Sequence, residues 1–113
     1  MSSSPSLEIV VAQQLGGSAA VLFTSSAGTW TRIEKVTLVN TDSASHQVTL
    51  YLVPSGGSAA TNTLITMTQA ISPGQSLNDV NVPGHYLNPG DALWGYADTG
   101  AKVNVMVGGT EFT

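Results

Sequence analysis

A chain of 113 residues is the size of one domain, and the absence of cysteine excludes disulfides and thiolate metal sites. A net charge of −4 argues against nucleic acid as a partner, because phosphates require a basic surface. Only 9% of the residues are charged while 42% are hydrophobic, so the chain is too apolar to be a disordered coil.

The N-terminal segment, MSSSPSLEIV, has no basic stretch ahead of an apolar run, so we expect no secretory signal. Its serine and proline content predicts a flexible arm over Met1–Ser6, followed by one domain over residues 7–113. No stretch reaches the roughly 18 apolar residues of a membrane-spanning helix, so we expect no membrane partner.

Beyond the arm, apolar residues recur with a period of two, which is the period of β-strands rather than helices. In QVTLYLVP, Val48, Leu50 and Leu52 share one face, while Thr49 and Tyr51 share the other. Turn-forming residues separate such runs at short intervals. The pattern predicts eight strands, at 6–14, 19–25, 30–40, 46–53, 62–69, 75–82, 91–97 and 102–112.

Eight short strands joined by turns predict an all-β fold, an antiparallel β-sandwich with either jelly-roll or Ig-like topology. The cations are Arg32, Lys35 and Lys102 alone. Because soluble monomers commonly protect their sheet edges with charge, especially lysine, we expect this surface to be covered by copies of the chain or by a partner.

Catalytic chemistry finds little support in the sequence. His46 and His85 lie near neither a nucleophile-elbow pattern nor a pair of carboxylates. The asparagines and aspartates between residues 78 and 91 offer oxygen ligands, but their spacing fits no EF-hand, and such residues beside Pro and Gly commonly form turns. We therefore predict no enzyme, no cofactor and no metal site.

Aromatic residues are the candidate ligand or interface positions. In ALWGYAD, Leu93 alternates with Trp94 and Tyr96, so both rings lie on one face of the predicted strand. Together with Trp30 they could belong to the core, to a subunit interface or to a glycan-binding face. The burial of that face decides between the three roles.

Most of the chain from about residue 30 onward resembles a type of small β-sandwich protein among the structural proteins of tailed bacteriophages. The resemblance is carried by VTLVNTDSASHQVTLYLVPSGGSAATNTLI, ISPGQSL and YLNPGDALWGYADTGAKVNVMVGG. These motifs consist mainly of strand ends and turns, so they characterise the fold type more than the role.

The resemblance implies a non-enzymatic virion protein, with head decoration (cement) proteins and tail- or fibre-associated proteins as the two classes. In the first class, the partner is the major capsid protein or another virion protein, and the location is the outer capsid surface. We also expect a homo-oligomer, with a trimer favoured. In the second class, Trp30, Trp94 and Tyr96 are the candidate contacts to a host glycan.

Overall fold

Two antiparallel β-sheets pack face to face in the computed structural model, which describes the backbone of residues 7–112 and the side chains of residues 11–112. The arm predicted over Met1–Ser6 thus lies outside the described residues. The strands are β1 (Leu7–Gln14), β2 (Ala20–Thr24), β3 (Trp30–Asn40), β4 (His46–Val53), β5 (Leu64–Ile71), β6 (Ser76–Asp79), β7 (Tyr86–Leu87), β8 (Ala92–Ala97) and β9 (Val103–Phe112). Within residues 7–112, no helix has the length and apolar character needed to cross a membrane.

The strand order is nested. One sheet runs β1-β9-β3-β6, with β7 also paired to β3, and the other runs β2-β8-β4-β5. The first long strand therefore lies beside the last, β2 beside β8, β3 beside β6 and β4 beside β5. This is the order of a jelly roll, whereas Ig-like sheets group the strands differently. The predicted antiparallel sandwich is confirmed, and of the two topologies the structure has the jelly roll.

The core lies between the sheets and follows the predicted alternation. Its buried side chains come mainly from alternate positions of the long strands. In β9, for example, Val103, Val105 and Val107 are buried, while Asn104 and Met106 face outward. The alternation is interrupted in β3, where a bulge separates the buried Ile33 and Val36 by three residues, and in β4, where Thr49 and Val53 are also buried. The fully buried members of the central strands include Ile33, Val36, Leu38, Val48, Leu50 and Leu93.

The structure differs from the predicted strands at three places between residues 61 and 87. Strand β5 begins at residue 64 rather than 62, because residues 61–63 form a 3-10 turn in which Thr63 bonds the backbone of Ala60. Strand β6 ends at Asp79 rather than 82, because its carboxylate accepts the backbone N–H groups of Asn81 and Val82 and turns the chain. The short strand β7 was not predicted.

Irregular pairing affects three strands. The register of β3 against β9 shifts between Ile33 and Lys35, beside Gly108 and Gly109. The register of β2 against β8 shifts once, and that of β5 against β4 shifts twice. In contrast, β1 pairs with β9 in one continuous register over all eight of its residues.

Candidate functional site

The contacts of His46 hold loops together. This residue opens β4, and its Nε2 lies 2.7 Å from Asp42 Oδ2 in the preceding turn, while Nδ1 lies 2.7 Å from Asp98 Oδ1 after β8. Both ring nitrogens are thus engaged with carboxylates, and neither is free to activate a nucleophile. The arrangement ties the β3–β4 turn to the β8–β9 connection.

Electrostatic interactions favour the protonated form of His46 and the ionised form of Asp42. Hydrogen bonds to Asp42 and Asp98 raise the pKa of His46 above its ordinary value of 6.5, against the opposing effect of burial. The same contact with His46, together with the backbone N–H of Ser43, lowers the pKa of the Asp42 carboxyl. Lys102 adds a weaker attraction to Asp42. His46 and its two aspartates therefore form ion pairs that hold two loops together.

The acidic residues between 78 and 91 also have structural partners. Asp79 is buried; its Oδ1 accepts the Thr66 hydroxyl at 2.6 Å, and its Oδ2 accepts two backbone N–H groups. Asp91 accepts the backbone N–H groups of Ser55 and Asn88. Both carboxylates hold turns, in agreement with their interpretation as turn formers, and Asp79 also joins β5 to β6.

The aromatic residues form two clusters on opposite sheets. Trp94 and Tyr96 are half-buried on the outer face of β8, since Leu93, Gly95 and Ala97 point into the core. Tyr51 of β4 lies directly across from Trp94, and its ring stacks on Tyr96 with a centroid distance of 6.3 Å. Burial raises the pKa of Tyr51, and the neighbouring Tyr96 raises it further.

Trp30 belongs to the other sheet. It begins β3, is 46% exposed, and lies opposite Phe112 of β9. The Phe112 ring lies 6.4 Å from that of Tyr86 in β7. The structure therefore brings Trp94 and Tyr96 together, with Tyr51 added, and separates them from Trp30. These rings are on outer faces rather than in the core, and a ligand-binding or interface role stays a prediction.

A shallow open groove of about 650 Å³ crosses the outer face of β1, β9 and β3. Its accessible lining is mostly apolar and includes the exposed side chain of Met106, and no acidic residue lines it. Gln14 Nε2 donates to Asn104 Oδ1 at 3.3 Å across this face. The residues that shape the groove are Ala12, Gln14, Lys35, Thr37, Asn104 and Met106.

The outer edges of the sheets carry very little charge. The edges are β1 and β6 in one sheet and β2 and β5 in the other. These four strands contain no lysine or arginine, and their only carboxylates are Glu8 and the buried Asp79. The three cations lie instead on the central strand β3 and in the β8–β9 connection. Most sheet edges in soluble proteins carry more charge than this.

Sequence reasoning missed two parts of these sites. The partnership of His46 with Asp98 joins residues 52 positions apart, and only the paired β4 and β8 bring them together. The sequence placed Tyr51 on the face of β4 opposite Leu50, but its stacking on Tyr96 depends on the register between β4 and β8. The alternation shows which face each residue lies on, but not which residue of β8 lies opposite Tyr51.

No protein-family model matches the chain, and no curated protein matches it. One solved structure has a similar fold: a chain from Bacillus endospore appendages, which form a family of disulfide-linked pili. The superposition covers all of the present chain and 91% of the other, with a TM-score of 0.55 and 14% sequence identity. At that identity the likeness shows a shared fold. The 113 residues contain no cysteine, so disulfide linkage has no counterpart within them.

Proposed function

We propose that the chain is a non-enzymatic structural protein of a phage virion, and that it decorates the head by bridging capsid subunits. The observation that carries the proposal is the weakly charged set of sheet edges, with no lysine or arginine on β1, β2, β5 or β6. Such edges suit a protein whose surface is covered by other chains in an assembly.

Two further observations support a structural role. The described histidine and carboxylate clusters are engaged in holding turns and loops, as the contacts of His46 and Asp79 illustrate. In addition, a chain of the same fold belongs to pilus-forming appendages, so this kind of jelly roll can serve as a building block of an extended assembly.

The proposed mechanism is mechanical. Many copies bury apolar and backbone polar surface across the junctions between capsid subunits, which raises the free energy needed to open the shell. The major capsid protein is the proposed partner, and the outer surface of the head is the proposed location. The contact uses the weakly charged sheet edges, and we assign a second contact to the arm Met1–Ser6.

The role is tested with virions from which this chain has been deleted. We expect such particles to release their DNA at a lower temperature than complete particles, and the purified protein to restore heat resistance when added back. A variant without residues 1–6 should restore less. Particles that are equally heat-resistant with and without the chain would contradict the decoration role, and full rescue by the shortened variant would remove the arm from it.

A second candidate function is glycan binding by a tail- or fibre-associated protein. The outward cluster of Tyr51, Trp94 and Tyr96 favours it, because sugar rings commonly stack on such aromatic faces. Binding to a glycan array should then be lost in Trp94→Ala and kept in Trp30→Ala, since Trp30 lies on the other sheet. An array without binding, or equal losses in both variants, would count against this function.

A further inference from the structure

The free edge of β1 differs from the other edges in its regularity. Strand β1 pairs with β9 through eight consecutive residues without a bulge. The strand LEIVVAQQ contains no proline and one charged residue, Glu8. A long, regular edge with a single charge is the kind of surface that accepts another strand.

The remaining edges are blunted. Strand β2 has a register shift between Val21 and Phe23, and the Leu22 carbonyl within it accepts the Gln13 side chain at 2.7 Å. Strand β5 carries two register shifts and a left-handed residue, Thr68, with φ of 46°. Strand β6 is only four residues long. Bulges and short strands are devices that prevent edge-to-edge pairing, so β1 is left as the receptive edge among the described strands.

The register shows which backbone groups of β1 are unpaired. The Leu15 N–H donates to the Val103 carbonyl at 2.8 Å, which makes this pair a hydrogen-bonded one. Hydrogen-bonded pairs alternate along an antiparallel ladder, so residues 7, 9, 11 and 13 direct their N–H and C=O groups toward β9. Residues 8, 10, 12 and 14 direct theirs toward the free edge.

We propose that this edge pairs with β1 of a second copy, antiparallel and about a two-fold axis. The outward residues must face each other, so the longest register within the described strand places Val10 opposite Ala12 and Glu8 opposite Gln14 of the other copy. The two copies are then joined into one continuous sheet. A two-fold contact uses the same surface on both copies, which is why a single receptive edge suffices.

Hydrogen bonding and charge both support this register. Four residues on each strand supply one donor and one acceptor each, so about eight backbone hydrogen bonds form, within the range of about 10 ± 5 of a typical specific interface. Antiparallel pairing also places the two Glu8 residues at opposite ends of the contact, roughly 20 Å apart at about 3.4 Å per residue. No like charges oppose each other.

The biological purpose of this dimer rests on the proposed structural role, but the pairing itself should form in the purified protein alone. It also changes the expected number of copies: a two-fold contact of this kind produces a closed dimer, whereas the sequence favoured a trimer. A dimer of this form presents two sandwiches side by side, which is a suitable unit for spanning a junction between capsid subunits.

The contact is tested by measuring the solution mass of the purified chain and of two variants by light scattering. We expect the wild type to have twice the 11.6 kDa of one chain. Ala12→Pro removes an N–H that the register directs toward the other copy, leaves the β1–β9 bonds in place, and should halve the mass. The control Ala12→Ser keeps that N–H at the same exposed position and should stay dimeric. A monomeric wild type, or equal behaviour of both variants, overturns the proposal.

Amide hydrogen exchange on the wild type tests the register without relying on any substitution. In the dimer, the amides of residues 10, 12 and 14 should exchange at least about tenfold more slowly than when the protein is diluted to monomer. A dimer in which these amides exchange as fast as in the monomer would overturn the proposal, because it would be formed by another surface. If light scattering or hydrogen exchange contradicts the dimer, the decoration role is still tested independently by the heat resistance of virions.

Discussion

Replacement of Gly109 by alanine perturbs the contact between β3 and β9, the two longest strands of the five-stranded sheet. A Cβ at Gly109 would lie 2.3 Å from the backbone carbonyl oxygen of Arg32, beside the register shift in β3. A backbone atom cannot rotate away as the end of a side chain can. The strands, normally about 4.8 Å apart, would have to separate by roughly 0.7 Å to reach the 3.0 Å that real Cβ atoms require.

The cost follows from that displacement. Two neighbouring ladder hydrogen bonds are stretched beyond their normal length, at about 1 kcal/mol each, and overpacking adds about 1 kcal/mol. The reduced freedom of alanine in the unfolded chain offsets about 0.5 kcal/mol. The free energy of unfolding should therefore fall by about 2.5 kcal/mol, which lowers the melting temperature by about 10 °C at roughly 4 °C per kcal/mol.

The neighbouring Gly108 provides a matched control. A Cβ there meets nothing within 4 Å, and its φ is not left-handed. Gly108→Ala should therefore leave the melting temperature unchanged or raise it by about 2–4 °C. Calorimetry at one fixed protein concentration measures both variants, so that association does not alter the comparison. A Gly109→Ala melting temperature within about 2 °C of the wild type, or an equal drop in Gly108→Ala, would refute the packing described for this pair.

Two further predictions concern the buried polar contacts. The pKa of His46 is raised, so its ion pairs stabilise the fold fully below about pH 6.5 and less as the pH rises through the folded-state pKa. Urea midpoints of the wild type should therefore decrease from pH 6 to about pH 9, and His46→Gln should flatten that slope; parallel slopes would contradict the ion pair. Thr66→Val removes the hydroxyl that donates to Asp79 and should lower the free energy of unfolding by about 1.5–3 kcal/mol. Thr37→Val, which loses an exposed hydrogen bond, should stay within about 0.5 kcal/mol, and equal losses would contradict the difference in burial.

The strands could be predicted because each long strand has one buried face. In β3, β4 and β9, alternating side chains such as Val36, Leu50 and Val105 reach the core, and this leaves a period of two in the sequence. The nested pairing of a jelly roll leaves no such periodic signal, since it depends on contacts between distant strands. The pattern therefore predicted a sandwich and left its topology open.

Strand β7 could not be predicted for a related reason. It consists of two residues and exists because β6 covers only residues 36–39 of the long strand β3, which leaves Thr31 and Arg32 to pair with Leu87 and Tyr86. In the sequence these residues lie among prolines and glycines, which indicate a connection. The bulge in β5 at Thr68 was likewise invisible, because no glycine marks its left-handed residue.

The aromatic site could be predicted in part. The alternation in β8 correctly placed Trp94 and Tyr96 on one face, but it could not decide whether that face was inside or outside. The structure places it outside, beside Tyr51, because Leu93 and Gly95 occupy the core side against Leu50 and Leu22. Trp30 was grouped with them by residue type alone, and its strand lies in the other sheet.

Immunogold electron microscopy of phage particles from the source that encodes this chain tests the proposed head-decorating role most directly. Antibodies raised against the purified protein should label the outer surface of the heads at many positions on each particle. Gold particles on tails or fibres would instead support the glycan-binding alternative. Purified particles without label, from preparations in which the chain is found in the soluble fraction, would contradict a virion role.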